Sequence, residues 1–287
     1  MSPALSGLLF QLSALVLFVA LDTVTKLLTT EYPIPQIVFC RFLFHMISVA
    51  LALRIATGRL PWRSRAPVTQ TVRSLTLVMA NVLFTVALAH VPLADAAAVS
   101  FASPLLTVAL AALVLKESVS ARRWAGIAVG FLGVLVALRP PFLTGEEPPH
   151  WALILPLGTA AVFAGYQILT RKLAAVDDPH TTILHTGIAA GLVTAVVQPF
   201  VWTPPTGLGW ALLALAGVFG AAGHFLLVQA YSRAPASLLA PMTYTQLVWS
   251  TLSSALVFGD WPDGWTLLGA AIIAGGGILV ALPGRRP

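Results

Sequence analysis

The sequence predicts an all-α integral membrane protein: ten transmembrane helices arranged as two inverted five-helix repeats, residues 1–145 and 146–287. Three observations carry that expectation. Hydrophobic residues make up 58% of the chain and charged residues only 9%, whereas a soluble surface draws on about a quarter charged residues. Apolar runs long enough to cross a hydrocarbon core of about 30 Å recur along the whole length. Two short words of sequence reappear, in the same order, half a chain later.

The apolar runs lie at 5–28, 35–56, 70–90, 93–115, 121–139, 150–172, 181–201, 209–231, 235–258 and 264–282. They are continuous and do not alternate with period two, which selects helices over barrel strands. In the first run no basic residue precedes Ala4, and Asp22 and Lys26 stand where a cleavable leader would carry small residues. This run is therefore expected to stay as a helix. The longest connectors, 57–69 and 140–149, are rich in Pro, Gly and charge, and they leave no room for a soluble domain. A single cysteine, Cys40, excludes an intramolecular disulfide and a multi-cysteine metal site.

The net charge of +6 suggests nucleic acid until it is laid on these spans. Arg54, Arg59, Arg63, Arg65, Arg73, Lys116, Arg122, Arg123, Arg171, Lys172, Arg233, Arg285 and Arg286 then share one side with both termini. Lys26, Arg41 and Arg139 are left on the other, where Glu31, Glu146, Glu147, Asp260 and Asp263 mostly fall. Basic residues gather on the cytoplasmic side of membrane proteins. The expected location is the cytoplasmic membrane, multi-pass, with both termini cytoplasmic. The expected partners are the lipid bilayer and a small-molecule substrate, with no nucleic acid.

GVLVAL at 133–138 recurs as GILVAL at 277–282, and LVLKE at 113–117 has a counterpart in LVFGD at 256–260. Each LV word ends a helix and is followed by a polar turn and a glycine-rich helix. Five spans per half is an odd number, so the second copy enters the membrane upside down. Secondary transporters repeatedly use this arrangement, with a substrate site near the midplane between the halves. A duplicated scaffold without transport is the alternative.

The stretch PLLTVALAALVLKESVSARRWAGIAVGFLGVLVAL at 104–138 resembles the EamA-type signature of the drug/metabolite transporter superfamily. It has a mid-helix Pro104, a terminal Glu117, a polar turn, and a helix with Gly126 and Gly133. The second copy departs from it, with Asp260 for the Glu and Leu247 at the aligned Pro position, Pro241 lying earlier. The resemblance covers all ten runs and is greatest to bacterial aromatic amino acid exporters. It implies an exporter of small metabolites, most directly aromatic and other apolar amino acids, working by alternating access. Export of purines, drugs or other metabolites by proton antiport is the alternative.

Charged and polar groups inside spans are costly in lipid and mark candidate sites. Asp22 and Lys26 in the first run are spaced i,i+4, one helix face; they read as a neutralised structural pair, or as a gate or proton-linked site. Arg41 and His45 in the second run share the same spacing. Arg41 can snorkel or meet a carboxylate, and His45 is a structural hydrogen-bonder or a proton-coupling group. Asn81, Ser100 and Ser103 lie mid-span in the first half, and Tyr166, Gln167, His224, Tyr244, Gln246 and Trp249 in the second. If the halves face each other, Asn81, Ser100 and Ser103 could oppose Tyr244, Gln246 and Trp249 around an aromatic-walled cavity suited to amino acids with large apolar side chains. Packing is the competing reading for each. Gly126 and Gly130, with Gly275, Gly276 and Gly277, permit close helix contact within the chain; by resemblance, they also permit a homodimer contact, so monomer and homodimer both stay open.

No nucleophile–base set, carboxylate dyad or metal spacing is present, so no enzyme is expected. No P-loop GxxxxGK[ST] and no cofactor motif occurs, and the scarcity of ionisable groups favours gradient-driven export over proton antiport. Neither charge rings nor a carbonyl filter suggest a channel.

Overall fold

The computed structural model describes residues 3–114, 121–138, 150–173, 176–231, 233 and 245–281. Lys116, Glu117, Arg139, Glu146, Glu147, Pro241, Tyr244, Arg285 and Arg286 lie outside the described residues. The described residues are helical, with no strand among them. In chain order the helices are α1 (Pro3–Leu28), α2 (Ile34–Thr57), α3 (Pro67–Leu88), α4 (Leu93–Ser100), α5 (Ala102–Val114) and α6 (Ala121–Leu138). They continue with α7 (Ile154–Leu173), α8 (Pro179–Ala195), α9 (Gln198–Val201), α10 (Gly207–Tyr231), α11 (Thr245–Ser253) and α12 (Gly264–Ala281). A 3₁₀ turn at Trp151–Leu153 leads into α7, and a π-helical turn at Ser254–Phe258 prolongs α11.

Helix boundaries follow local chemistry. Pro67 opens α3 and Pro179 opens α8 at first-turn positions, where a missing N–H is harmless. The Asp178 side chain caps α8 by accepting the His180 N–H at 2.7 Å. Helix α2 stops at Gly58, whose φ of +67° and N–H bond to Arg54 O form a left-handed cap. The run expected as one span over 93–115 is broken at Phe101 into α4 and α5. Pro104 has no N–H to offer the Ser100 carbonyl, and the Ser100 hydroxyl turns back to Ala96 O at 2.9 Å. The Phe101 N–H is shared between Ala97 O and Ala98 O.

Five helices are long and apolar enough to cross a membrane by length and composition: Leu5–Leu28, Ile34–Thr57, Pro67–Leu88, Trp151–Thr170 and Gly207–Leu227. Shorter apolar helices cover Trp124–Val136 and Gly264–Leu279. Large apolar side chains such as Phe200, Leu256 and Ile55 point outward, each more than three-quarters exposed, a surface that needs an apolar surrounding.

Each helix packs across the boundary between the two halves of the sequence. The most extensive pairing is α6 with α12, followed by α1 with α10 and α3 with α7. Helix α2 packs on α10 and α8, α3 on α8, α5 on α7, and α11 on α1 and α4. Glycine makes the tightest of these contacts possible. A Cβ at Gly276 would meet Gly126 O at 2.6 Å, and one at Gly133 would meet Gly269 O at 2.7 Å. On α10, a Cβ at Gly217 would collide with Phe44 Cβ, and one at Gly223 would meet a Phe18 ring carbon at 2.7 Å. Gly126, Gly130, Gly133 and Gly276 are thus engaged within the chain, as the first of the two readings expects.

A methyl group at Gly276 must displace backbone. Gly276→Ala is expected to destabilise the protein by about 1–3 kcal/mol, the usual cost of overpacking, seen as a lower Tm in detergent. Gly275→Ala, where nothing lies within 4 Å, should leave Tm within a degree or two of the parent. Equal Tm values for the two variants would contradict the close α6–α12 contact.

Candidate functional site

The interior charges gather where α1, α2 and α10 meet. Asp22 of α1 and Arg41 of α2 lie within electrostatic range of each other. Neither is hydrogen-bonded to another described residue. At about 1.5 Å per residue, both sit roughly 9–11 Å inside the helix ends that bound the α1–α2 connector. One turn further along α2, His45 is 6% exposed and its Nε2 has no hydrogen-bond partner. Its ring meets the His224 ring of α10 edge-on at 5.8 Å, and His224 meets Phe18 of α1 at 5.1 Å. A charge or ring nitrogen held in an apolar interior without partners is a group prepared for a ligand or for water.

This arrangement corrects one reading of the sequence. Asp22 and Lys26 share a helix face but do not neutralise each other. Asp22 faces Arg41, whereas the longer Lys26 side chain reaches across to α3 and donates from Nζ to Val91 O at 2.7 Å and Leu88 O at 3.4 Å. Asp260 and Asp95 are the carboxylates acting on it, and Nζ lies 5.2 Å from the Phe258 ring centroid. Arg41 lies in the field of a carboxylate, Asp22.

Arg73, counted with the basic residues on the side of the termini, is 4% exposed inside α3. Its Nε donates to Thr170 Oγ1 at 2.7 Å, Nη1 to Thr186 Oγ1 at 2.7 Å, and Nη2 to Tyr166 Oη at 2.6 Å. The guanidinium also stacks 4.4 Å from the Tyr166 ring centroid. Tyr166 therefore holds Arg73 where α3, α7 and α8 join. The fields of both Arg41 and Arg73 reach His224. Two fixed guanidiniums and one carboxylate leave this interior with an excess of positive charge.

The remaining candidates divide. Asn81 is buried and donates to Leu77 O at 2.8 Å. Ser103 is buried with an unpartnered Oγ. Trp249 lines an open hollow of about 330 Å³ together with Val16, Val19 and Thr23 of α1, Phe219 of α10 and Ser253 of α11. None of Asn81, Ser100 and Ser103 lines that hollow. Gln246 is partly buried on α11. Among the described residues, no group of three or more His, Cys, Asp or Glu could hold a metal ion.

Each end of the α2–α8 pair is fastened to the opposite half of the chain. Before α8, Asp177 accepts the Arg65 N–H at 2.8 Å, Gln70 Nε2 at 2.9 Å and the Ser64 hydroxyl. Burial alone would raise this carboxyl, but those three donors and nearby His185 hold it below the usual aspartate range. At the start of α2, the fully buried Gln36 exchanges two hydrogen bonds with the Thr203 backbone, both at 2.8 Å. Sequence reading passed over both. The only hint was an acidic pair, Asp177 and Asp178, amid connectors dominated by arginine.

The EamA-like transporter family matches residues 5–139 and, a second time, residues 150–282. The chain belongs to the EamA-like transporter family. An S-adenosylmethionine uptake transporter of Rickettsia prowazekii is 32% identical, covering 94% of this chain and 90% of that protein. A riboflavin transporter of Rhizobium johnstonii is 29% identical over 97% and 92% of the two chains. A pseudopaline exporter of Pseudomonas aeruginosa is 26% identical over 93% of each. A solved crystal structure superposes with a TM-score of 0.68 at 21% identity over 96% of each chain, a likeness of fold. The family match identifies a membrane transporter of the drug/metabolite superfamily for small molecules. The aromatic amino acids expected from the sequence are not among these named substrates, and the named directions include uptake as well as export.

In this EamA-like transporter the Asp177 fastening is predicted to depend on pH. Because the folded carboxyl is held below its ordinary value of 3.8, its contribution is complete above that value and is lost as pH falls through the folded value. Asp177→Asn should lower Tm at pH 7 and narrow the gap to the parent as the pH approaches 3. A Tm difference independent of pH would refute the assignment.

Proposed function

We propose that this chain is a secondary transporter of ten spans in two inverted halves, moving a carboxylate-bearing, amino-acid-like metabolite with a flat apolar body by alternating access. The carrying observation is the Asp22–Arg41 couple: opposite charges on neighbouring helices, in each other's field, with no hydrogen bond to another described residue. An α-amino acid presents the matching ammonium and carboxylate. The excess positive charge from Arg73 favours a ligand that brings a carboxylate. Phe18, edge-on to His224, offers an apolar wall for a flat body.

The inverted arrangement is supported by the packing. Numbering the expected spans one to ten and exchanging each with the span five places on turns the α1–α10 contact into α7–α3. The same exchange turns α2–α10 into α8–α3 and α1–α11 into α7–α5, and it returns α2–α8, α4–α11 and α6–α12 to themselves. The two family matches, one per half, agree with this. Arg54, Arg59, Arg63, Arg65, Lys172 and Arg233 favour a cytoplasmic placing for that end and the termini.

Aromatic amino acids and S-adenosylmethionine share the amino acid head and a flat ring system, which reconciles the expectation from sequence with a relative's named substrate. Among the described residues Asp22 is the one carboxylate at the central cluster, and it is already opposed by Arg41. Transport by gradient, in whichever direction the substrate gradient runs, therefore fits better than proton exchange.

Counterflow in proteoliposomes tests this reading. Labelled Trp, Phe or S-adenosylmethionine should exchange saturably without an imposed pH gradient, and riboflavin, which has no carboxylate, should not. Arg41→Gln should reduce the exchange by roughly 10- to 100-fold, the worth of a charge-assisted hydrogen bond. Exchange of riboflavin but of no carboxylate-bearing substrate would overturn the substrate class, and an absolute need for a pH gradient would overturn gradient-driven transport.

A further inference from the structure

The seam between α1 and α11 joins the two halves on the proposed outer side of Asp22, and polar contacts close it. Thr23 Oγ1 lies 2.6 Å from Ser253 Oγ, across the two helices. Nearly one turn outward on α1, Lys26 gathers three elements of the outer end at once. Its Nζ bonds Val91 O and Leu88 O at the corner leaving α3. It is drawn by Asp95 in the first turn of α4 and by Asp260 beyond α11. It also stands over the ring of Phe258, the last residue of the π-helical turn. That turn ends at Gly259, φ +73°, a conformation open to glycine without strain. The Asp260 N–H closes back onto Ser254 O at 3.1 Å.

A lysine that only capped α3 would need the two carbonyls and nothing from α11. Lys26 instead spans the junction between the first half, which supplies α1, α3 and α4, and the second, which supplies Phe258 and Asp260. The α11 side of the junction is poised to move. Ser250 and Ser254 are fully buried there, and their hydroxyls have no hydrogen-bond partner in this arrangement. A buried hydroxyl left unbonded penalises the closed packing, and a shift that admits water or a carbonyl removes the penalty. π-helical turns mark places where a helix can change register. Lys26 is partly buried on a long flexible stem, so its ammonium can leave Val91 O for water without being stranded in lipid.

We propose that Lys26 is the outer gating residue of the transport cycle, with the Thr23–Ser253 contact as the inner part of the same gate. In the arrangement seen here the gate is shut, sealing the Asp22–Arg41 region from outside. Opening separates α1 from α11, and the ammonium exchanges Val91 O and the field of Asp260 for water. This inference rests on the alternating-access reading above and adds to it the element that alternates.

Disulfide trapping tests the gate. In a Cys40→Ala background, Thr23→Cys and Ser253→Cys together place two thiols where two oxygens now stand within bonding distance. The expected result is rapid cross-linking by a mild oxidant, loss of counterflow in the oxidised protein, and recovery on reduction. Adding Lys26→Gln should slow cross-linking about 10-fold or more, the loss of one charged hydrogen bond, while Lys26→Arg should stay within about twofold. Cross-linked protein that exchanges substrate as fast as reduced protein overturns the proposal, as does cross-linking indifferent to Lys26→Gln. The cross-linking rates need no substrate. If the parent protein exchanges none of the substrates tested, the transport reading fails by itself and the rates still decide whether Lys26 holds the seam shut.

Discussion

The candidate site exists because α10 can lie directly against α1 and α2. Side chains at 217 and 223 would hold these helices apart, and both positions are glycine. At Gly217 the α2 backbone at His45 N comes within 2.9 Å of where a Cβ would stand, and at Gly223 the Phe18 ring occupies that place. In lipid, apolar side chains gain nothing from leaving their surroundings, so helices associate by close packing and interior polar contacts. The glycine strip supplies the packing, and in doing so it brings His224 to Phe18 and His45.

A second constraint follows from that closeness. Charges drawn into a tight apolar interior must be met by something other than water. Arg73 is met completely, by three hydroxyls and an aromatic face. Lys26 is met by helix-end carbonyls, in the field of two carboxylates. Asp22 and Arg41 are met only by each other's field. The three solutions correspond to three roles: a fixed joint between halves, a contact that can be remade, and a pair with hydrogen bonds to spare for a ligand. The degree to which the protein itself satisfies a buried charge separates structure from function here more clearly than depth in the membrane does.

The two fastenings of the α2–α8 pair follow the same logic at the ends of the molecule. Gln36 and the Thr203 backbone use neutral groups, whereas Asp177 uses a carboxylate with Arg65, Gln70 and Ser64. Both tie a helix start in one half to a connector in the other. They leave the α1–α11 seam, with its unbonded serines, as the less secured junction between the halves.

Much of this was legible in the residues alone. Continuous apolar runs fix helices because a backbone in lipid must satisfy its own hydrogen bonds, and the spacing of glycine in α6 and α12 announces close contact. Asp22, Arg41, His45 and His224 stood out because charge and imidazole are costly where they occur. Which of them meet was not legible. The i,i+4 spacing of Asp22 and Lys26 suggested a pair, but a helix face says nothing about the neighbour it is turned to. Asp22 found Arg41 on α2, and Lys26 found the end of α3. Arg73 looked like one more basic residue on the side of the termini, since its partners Thr170, Thr186 and Tyr166 lie about a hundred positions away. Local composition determines what a segment can be, because it sets the balance between lipid and water. Partnership between charges is decided by helix packing, because only tertiary contact brings distant side chains within a few ångströms.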